Sequence, residues 1–366
     1  MKKIRVAVIY GGTNTEHEVS LVSARSIIAN LNPEKYELVP ITITKKNTWA
    51  VQPSLLPTST RQSLSVQKSR ALTRHRGQLP DLSSNNQPVD VVFPVIHGPF
   101  GEDGTIQGML EMARLPYVGS NVLASALCMD KMVQKQLCKG QGIAVVDFVG
   151  FTNNQWQRNK ARLTEQIEKE LGYPSFVKPT NQGSSVGVIK ARGRGELRRA
   201  ITQALKLDSK VLVEKAVSQA REIECSVLGN DEPEASVLGE IIPSNEFYDY
   251  DAKYVDGKSQ AIIPAKLPKK LAGAIRKTAL LAFKLLNCSG LARVDFLVNA
   301  KTNQYYLSEL NTMPGFTSIS MYPKLWEATG LPHPKLLDRL IELALERHQE
   351  RSKLNFSYLP RTQWYR

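Results

Sequence analysis

The segment YYLSELN sets Glu309 and Asn311 two residues apart, a spacing that puts both on one face of a β-strand. Folding back through NAKTNQ brings the preceding run, ARVDFLV, alongside, with Asp295 roughly opposite Glu309. Two carboxylates and an amide oxygen on one surface form a hard-oxygen set suited to Mg²⁺ rather than zinc. Arg293, two residues before Asp295, shares that face. An exposed strand face carrying an Arg–Asp ion pair is the plainer alternative.

The stretch KPTNQGSSVG, residues 178–187, has no hydrophobe before Val186, so core packing does not account for it. Backbone N–H groups of a glycine-rich turn can approach phosphate oxygens closely because no side chain intervenes. Gly183, Ser184, Ser185 and Gly187 supply such a turn, and Lys178 precedes it on the leading strand, where it can pair with a phosphate. No G-x-x-x-x-G-K-[ST] motif occurs in the chain, so this is not a Walker A loop. A bland flexible turn is the alternative; the density of Ser, Gly and Lys at a strand–loop–strand junction favours phosphate. Further on, VLVEKAV ends a strand at Glu214 and Lys215, where backbone groups can meet an adenine edge, and Glu222 can accept from ribose hydroxyls. A Glu–Lys pair at a strand end is otherwise ordinary surface.

At the amino end, GGTNTEHEVS follows a strand and leads into a helix. Glu16 there can be a mere dipole partner, worth a few tenths to about 1 kcal/mol. The loop also lies at the carboxyl end of a strand, where α/β sheets bind ligands. HGPFGEDG occupies the equivalent place after a second strand, so His97 and Glu16 are expected to face one crevice.

The elements that must position these residues follow from hydrophobic spacing. IRVAVIY and VDVVFPVIHG are short apolar runs, hence buried strands, with a helix from about Glu18 to Leu31 after the first and another over GTIQGMLEMARL after the second. Strand alternating with helix indicates a parallel sheet. Residues 45–88, rich in Ser, Thr, Gln, Asn and Pro, are expected to form a long polar insertion, partly mobile. One helix is expected at about Ala124 to Lys139. Residues 140–216 alternate between strand and helix, with strands at YPSFVKPT, SVGVIKA and KVLVEKAV and a helix near 195–206. REIECSVLG and EASVLGEIIP are expected to pair antiparallel; a polar stretch, Ser244–Ser259, precedes a helix from about Lys269 to Leu286, the Asp295/Glu309 hairpin and a last helix over roughly 334–347. There is no internal repeat.

A chain of 366 residues can hold two or three domains, and its 42% hydrophobic and 22% charged content is ordinary for a soluble protein. No apolar run approaches the roughly 20 residues that cross a membrane. MKKIRVAVIYGG resembles a signal peptide only in its basic opening, since Arg5 interrupts the apolar run and Gly11-Gly12 ends it. Cys128, Cys138, Cys225 and Cys288 show no metal-ligand spacing, which indicates idle thiols and a reducing cytoplasm. The net charge of +14 has a nucleic-acid binder as its competing explanation. Its basic residues gather in the 45–88 insertion, around Arg192–Arg199 and in the tail after Arg347, with no recognition motif, and are expected to be solvated surface.

Taken together, GGTNTEHEVS, HGPFGEDGTIQGMLE, ASALCMDK, VKPTNQGSSVG, VEKAV, FYDYDAKY, ARVDF and ELNTMPGFTSIS resemble the D-alanine–D-alanine ligases of the ATP-grasp family, in family order from residue 4 to about 345. The resemblance implies an α/β, three-domain ATP-grasp architecture: an amino-terminal parallel α/β domain (1–121) and two α+β lobes (122–214 and 215–347) clamping ATP, followed by a basic tail (348–366). It implies that Gly183, Ser184 and Ser185 hold phosphates with Lys131, Lys178 and Lys253, that Glu214, Lys215, Ala216 and Val217 frame adenine, and that Glu222 meets the ribose. Two Mg²⁺ ions, replaceable by Mn²⁺, are implied on Asp295, Glu309 and Asn311. Glu16 is implied to hold the first D-alanine's ammonium, with His97 in the same substrate site. Arg293 and the Gly315 N–H are implied to stabilise the oxyanion, and Ser320 and Met321 to help Arg293 seat the second carboxylate. Tyr254, on a mobile 244–259 loop, is implied to join Ser184 and Glu16 in closing the site. A homodimer, D-alanine and ATP as the only partners, and peptidoglycan precursor synthesis complete the expectation. D-alanyl-D-lactate or D-alanyl-D-serine ligases of the same fold are the alternative; DYDAKY keeps a tyrosine at 254 where the lactate-forming relatives commonly have histidine, which favours D-alanine as second substrate.

Overall fold

A computed structural model describes residues 2–51, 70–71, 82, 88–243, 259–355 and 357, arranged around three sheets. The first sheet has the order β4-β3-β2-β1-β5, from β1 (Ile4–Gly11), β2 (Tyr36–Ile43), β3 (Trp49–Val51), β4 (Arg70–Ala71) and β5 (Val91–Val95). β1 runs parallel to β2 and β5, whereas β3 and β4 add antiparallel at the edge. The sheet is therefore mixed rather than purely parallel, and the expected 45–88 insertion contributes two of its strands; most of that span lies outside the described residues.

Seven of the eight β1 residues are buried because both faces are covered. Val6, Val8 and Tyr10 pack with Ala24 and Ile27 of α1 (His17–Asn30) and with Leu336 and Leu340 of α9 (His333–Ser352). The alternate residues Ala7 and Ile9 join Ile106 and Leu110 of α2 (Thr105–Met112). Each such aliphatic side chain contributes roughly 1.5–3 kcal/mol on burial. The last helix among the described residues thus closes the first sheet.

The expected 124–139 helix is two helices, α3 (Val122–Met129) and α4 (Lys131–Gly140). Asp130 stands between them in an extended conformation, and its side chain accepts from the Met132 and Val133 N–H groups. An aspartate that caps the new helix in this way competes with continuation of the old one. The break presents Lys131 to the glycine loop, with the Lys131 N–H donating to the Thr180 carbonyl at 3.1 Å.

The second sheet, β6-β9-β7-β8, is antiparallel and comprises β6 (Phe148–Thr152), β7 (Ser175–Pro179), β8 (Ile189–Ala191) and β9 (Lys210–Lys215). It packs on α5 (Asn153–Glu170) and α6 (Arg194–Ala204) through Trp156, Ile167, Leu197 and Ile201. The third sheet, β12-β11-β10-β13-β14, contains β10 (Ala220–Gly229), β11 (Glu234–Ile242), β12 (Gln260–Ile262), β13 (Gly290–Asn299) and β14 (Tyr305–Asn311). Along β13, Val294, Phe296 and Val298 enter a core with Ile275, Ala279 and Phe283 of α7 (Lys269–Leu285). Period two therefore sends Arg293 and Asp295 to the opposite face.

Candidate active site

On that opposite face, Asp295 lies directly across from Glu309 on one side and Glu224 on the other, and Arg293 is paired with Asn311. The Arg293 guanidinium donates to both Asp295 oxygens, Nε to Oδ1 at 2.7 Å and Nη2 to Oδ2 at 2.6 Å, and its Nε is 3.1 Å from Glu224 Oε2. Burial acts to lower the arginine's pKa, but the two carboxylates outweigh it and hold the pKa well above its ordinary value. Asn311 Nδ2 donates to Asp295 Oδ2 at 3.2 Å, and Lys131 Nζ stands 3.3 Å from Glu309. Among the described residues no three or more His, Cys, Asp or Glu side chains group around a common metal position. Two carboxylates and an amide nevertheless fit a hard cation of the Mg²⁺ type, which takes its other positions from water and phosphate oxygens.

Beside this face lies a lysine cluster. Glu214, 2% exposed, receives Lys135 at 2.9 Å on one oxygen and Lys178 at 2.7 Å on the other. Burial acts to raise its pKa, yet the two lysines prevail and hold it down to about 2. A Glu at this strand end is therefore not ordinary surface. The Lys215 and Ala216 N–H groups donate to the Asp147 and Pro174 carbonyls, so Val217 carries the first amide beyond those pairs. A cavity of about 490 Å³ opens here, with Lys131, Lys178, Ser185, Glu214, Val217 and Glu222 in its walls. That volume lies in the range of small-molecule sites. Lys135, fully buried, was not singled out from sequence; its i+4 spacing from Lys131 on one helix face is the signal that marks it.

Glu309 and Glu224 also line a second, smaller cavity, together with Glu16, Gly183, Ser184, His97, Arg293, Gly315, Ser320 and Met321. The Ser184 hydroxyl donates to Glu16 Oε1. Ser184 and Ser185 both adopt positive φ, 50° and 59°, an uncommon conformation for residues with a Cβ. A Cβ added at Gly183 would fall onto the Glu16 carboxylate, so glycine at 183 is what permits the loop to close on Glu16. Ser320 Oγ accepts from the Thr317 N–H at 2.9 Å and lies 2.8 Å from Thr317 Oγ1. The Met321 side chain is buried beside Ile241 and Leu325, where it serves packing.

His97 borders this cavity, but both its ring nitrogens are engaged: Nε2 with Ser23 Oγ at 2.9 Å and Nδ1 with the Met313 carbonyl at 3.0 Å. Burial lowers its pKa to about 4, so the ring is neutral near pH 7. Glu102, inside the same HGPFGEDG segment, accepts from the Gly98 N–H at 2.6 Å and the Met313 N–H at 3.3 Å. Its pKa is pushed up to about 8 by burial and by the neighbouring Glu16. Sequence reasoning passed over Glu102, Ser23 and Glu224; only Glu224 had a visible signal, sharing a strand face with Glu222. Tyr254 and Lys253, with the 244–258 segment, lie outside the described residues.

The D-ala D-ala ligase N-terminus family matches residues 5–120, and the D-ala D-ala ligase C-terminus family matches residues 137–342. The chain is 47% identical over 362 residues to the D-alanine–D-alanine ligase of Caldicellulosiruptor bescii, covering 98% of this chain and 99% of that one. It is 50% identical over 360 residues to that of Thermoanaerobacter pseudethanolicus, covering 96% and 99%. Among solved structures, the D-alanine–D-alanine ligase of Coxiella burnetii superposes with a TM-score of 0.84 at 38% identity, over 96% of this chain and 97% of that one. A D-Ala:D-Ser ligase from Enterococcus faecalis superposes with 0.78 at 36% identity, over 94% and 100%.

Proposed function

The chain belongs to the D-alanine–D-alanine ligase family, an ATP-dependent ligase that joins two D-alanines for cell-wall precursor synthesis, and on that premise we propose how its residues divide the work. The observation that carries the proposal is the pair of cavities sharing Glu309 and Glu224, one ringed by lysines and the other by Glu16, Ser184, Arg293 and Gly315.

A carboxylate is a poor acyl donor until it is phosphorylated. In the proposed sequence Lys131 and Lys178, with the Gly183–Ser185 loop, hold the ATP phosphates. The adenine lies by Glu214, Lys215, Ala216 and Val217, and the ribose by Glu222. Asp295, Glu309 and Asn311 would hold magnesium (or Mn²⁺), which would supply charge neutralisation for phosphoryl transfer. Glu16, oriented by Ser184, holds the ammonium of the first D-alanine. The carboxylate of that D-alanine takes the γ-phosphoryl group, giving a D-alanyl phosphate and ADP. The second D-alanine's amine then attacks the acyl carbon, the oxyanion faces Arg293 and the Gly315 N–H, and phosphate leaves. Ser320 and the Met321 backbone help Arg293 receive the second carboxylate. Losing one oxyanion donor typically costs about 10²–10³ in rate.

The division into units at 1–121, 122–214 and 215–347, action in the cytoplasm, a homodimeric state, a closing role for Tyr254 and a phosphate-binding role for Lys253 complete the proposal; the three separate sheets support the first of these. Among the described residues no helix is long and apolar enough to cross a membrane. The test is ADP release with ATP and Mg²⁺, offering D-alanine alone, then D-alanine with D-lactate or D-serine, with the products identified. Dipeptide from D-alanine alone supports the assignment of the second site; turnover only with a mixed pair would overturn it.

A further inference from the structure

The turn from Met313 to Phe316 carries Gly315, yet it is held from outside its own sheet. The Phe316 N–H donates to Ser23 Oγ at 3.2 Å, and Ser23 Oγ lies 2.9 Å from His97 Nε2. His97 Nδ1 is 3.0 Å from the Met313 carbonyl, and the Met313 N–H donates to Glu102 at 3.3 Å. A carbonyl can only accept, so Nδ1 carries the ring proton of the neutral imidazole. Nε2 must then accept the Ser23 hydroxyl proton, which leaves a Ser23 lone pair for the Phe316 N–H. The proton pattern has one consistent solution, and every member is buried: Ser23 at 0%, His97 at 3%, Glu102 at 9%.

We infer that Ser23, His97 and Glu102 are positioning residues for the ligation step, fixing the Gly315 amide from the amino-terminal sheet by tethering the backbone on both sides of it. The inference rests on the proposed oxyanion role of Gly315. Its consequence is that the donor meeting the second chemical step is aligned by residues of a different sheet from the one that carries it. Ser23 follows β1 on α1, while His97 and Glu102 lie in the loop after β5, so a helix and a loop beyond adjacent strand ends converge on a single segment. A misplacement of about 1 Å in such a donor can cost about 10²-fold in rate. Acyl phosphate formation, which needs the phosphate loop and Glu16, does not depend on that alignment.

The experiment separates the two steps in Ser23→Ala. Oxygen-18 in the β,γ-bridge of ATP scrambles to non-bridging β positions when D-alanine is reversibly phosphorylated, while dipeptide release reports ligation. Dipeptide formation is expected to fall about tenfold to a hundredfold, with scrambling retained. A parallel loss of both, or the loss of neither, would overturn the inference, because a purely structural serine moves the steps together. Absence of scrambling in the unaltered protein would instead overturn the acyl-phosphate reading. If Ser23→Ala does not fold cooperatively, Glu102→Gln is examined the same way. It keeps one carbonyl acceptor for two amides and is expected to show the same split, whereas equal effects on both steps would refute the tether.

Discussion

Arg293 grips Asp295 through two parallel hydrogen bonds of 2.7 and 2.6 Å, so the carboxylate proposed for the metal is already neutralised by the arginine proposed for the oxyanion. A cation arriving with ATP must share Asp295 with Arg293, which ties metal binding to the aim of the guanidinium. Asp295→Asn is expected to cut turnover at saturating ATP by at least about 10²-fold, since the lost charge stabilisation amounts to several kcal/mol. It is also expected to raise the Mg²⁺ concentration for half-maximal ADP release. An unchanged Mg²⁺ titration would remove Asp295 from the metal site.

Glu214 sits between two lysines in a nearly dry environment, and its removal leaves Lys135 and Lys178 facing each other. Breaking a buried pair in this way costs about 3–5 kcal/mol, so Glu214→Gln is expected to show that loss in urea unfolding. The folded pKa lies below the ordinary 4.5, so this carboxylate's stabilisation is fully present above pH 4.5 and is lost as pH falls towards 2. Stability within about 1 kcal/mol of the parent would mean that the pair is solvated.

Gly183→Ala places a methyl group on the Glu16 carboxylate. The side chain must shift, and the ammonium of the first D-alanine loses its aligned partner. The KM for the first D-alanine is expected to rise at least about tenfold, more than the Kd for a non-hydrolysable ATP analogue read by calorimetry. Equal losses for both ligands would mean that Gly183 acts through the phosphate grip alone and not through Glu16.

His97 contributes on the acid side. Its folded pKa of about 4 lies below the ordinary 6.5, so the unfolded chain binds more protons between those values. Stability is expected to fall by roughly 3 kcal/mol as pH drops from 6.5 to 4, at about 1.4 kcal/mol per unit. His97→Asn, which can still donate to the Met313 carbonyl, is expected to lose that slope; urea midpoints across the range compare the two. A slope that survives substitution belongs to another group.

That Asp295 and Glu309 come close was legible from strand period and the short hairpin, but an unbroken register would set Asp295 opposite Ser308, and an irregularity between Asp295 and Phe296 puts Glu309 there instead. The strand-end loops were legible for a similar reason: polar, glycine-rich segments that interrupt apolar runs have no core role to play. The break at Asp130 was not, since an Asp within helical spacing is neutral until its carboxylate finds the amides of the next turn. Glu214 shows the same limit, because a Glu–Lys dipeptide reads as surface until Lys135 and Lys178 converge from two other elements.

By itself, then, the sequence determined most of the elements around the site and the chemical kinds of residue at their ends, since hydrophobic period and loop composition act over a few residues. Only the tertiary structure decided which charges meet: Arg293 on Asp295, two lysines on Glu214, and Ser23, His97 and Glu102 around the Gly315 turn. Those partners come from elements up to 293 residues apart, as with Ser23 and Phe316, and their hydrogen bonds depend on fractions of an ångström that only the packed sheets set.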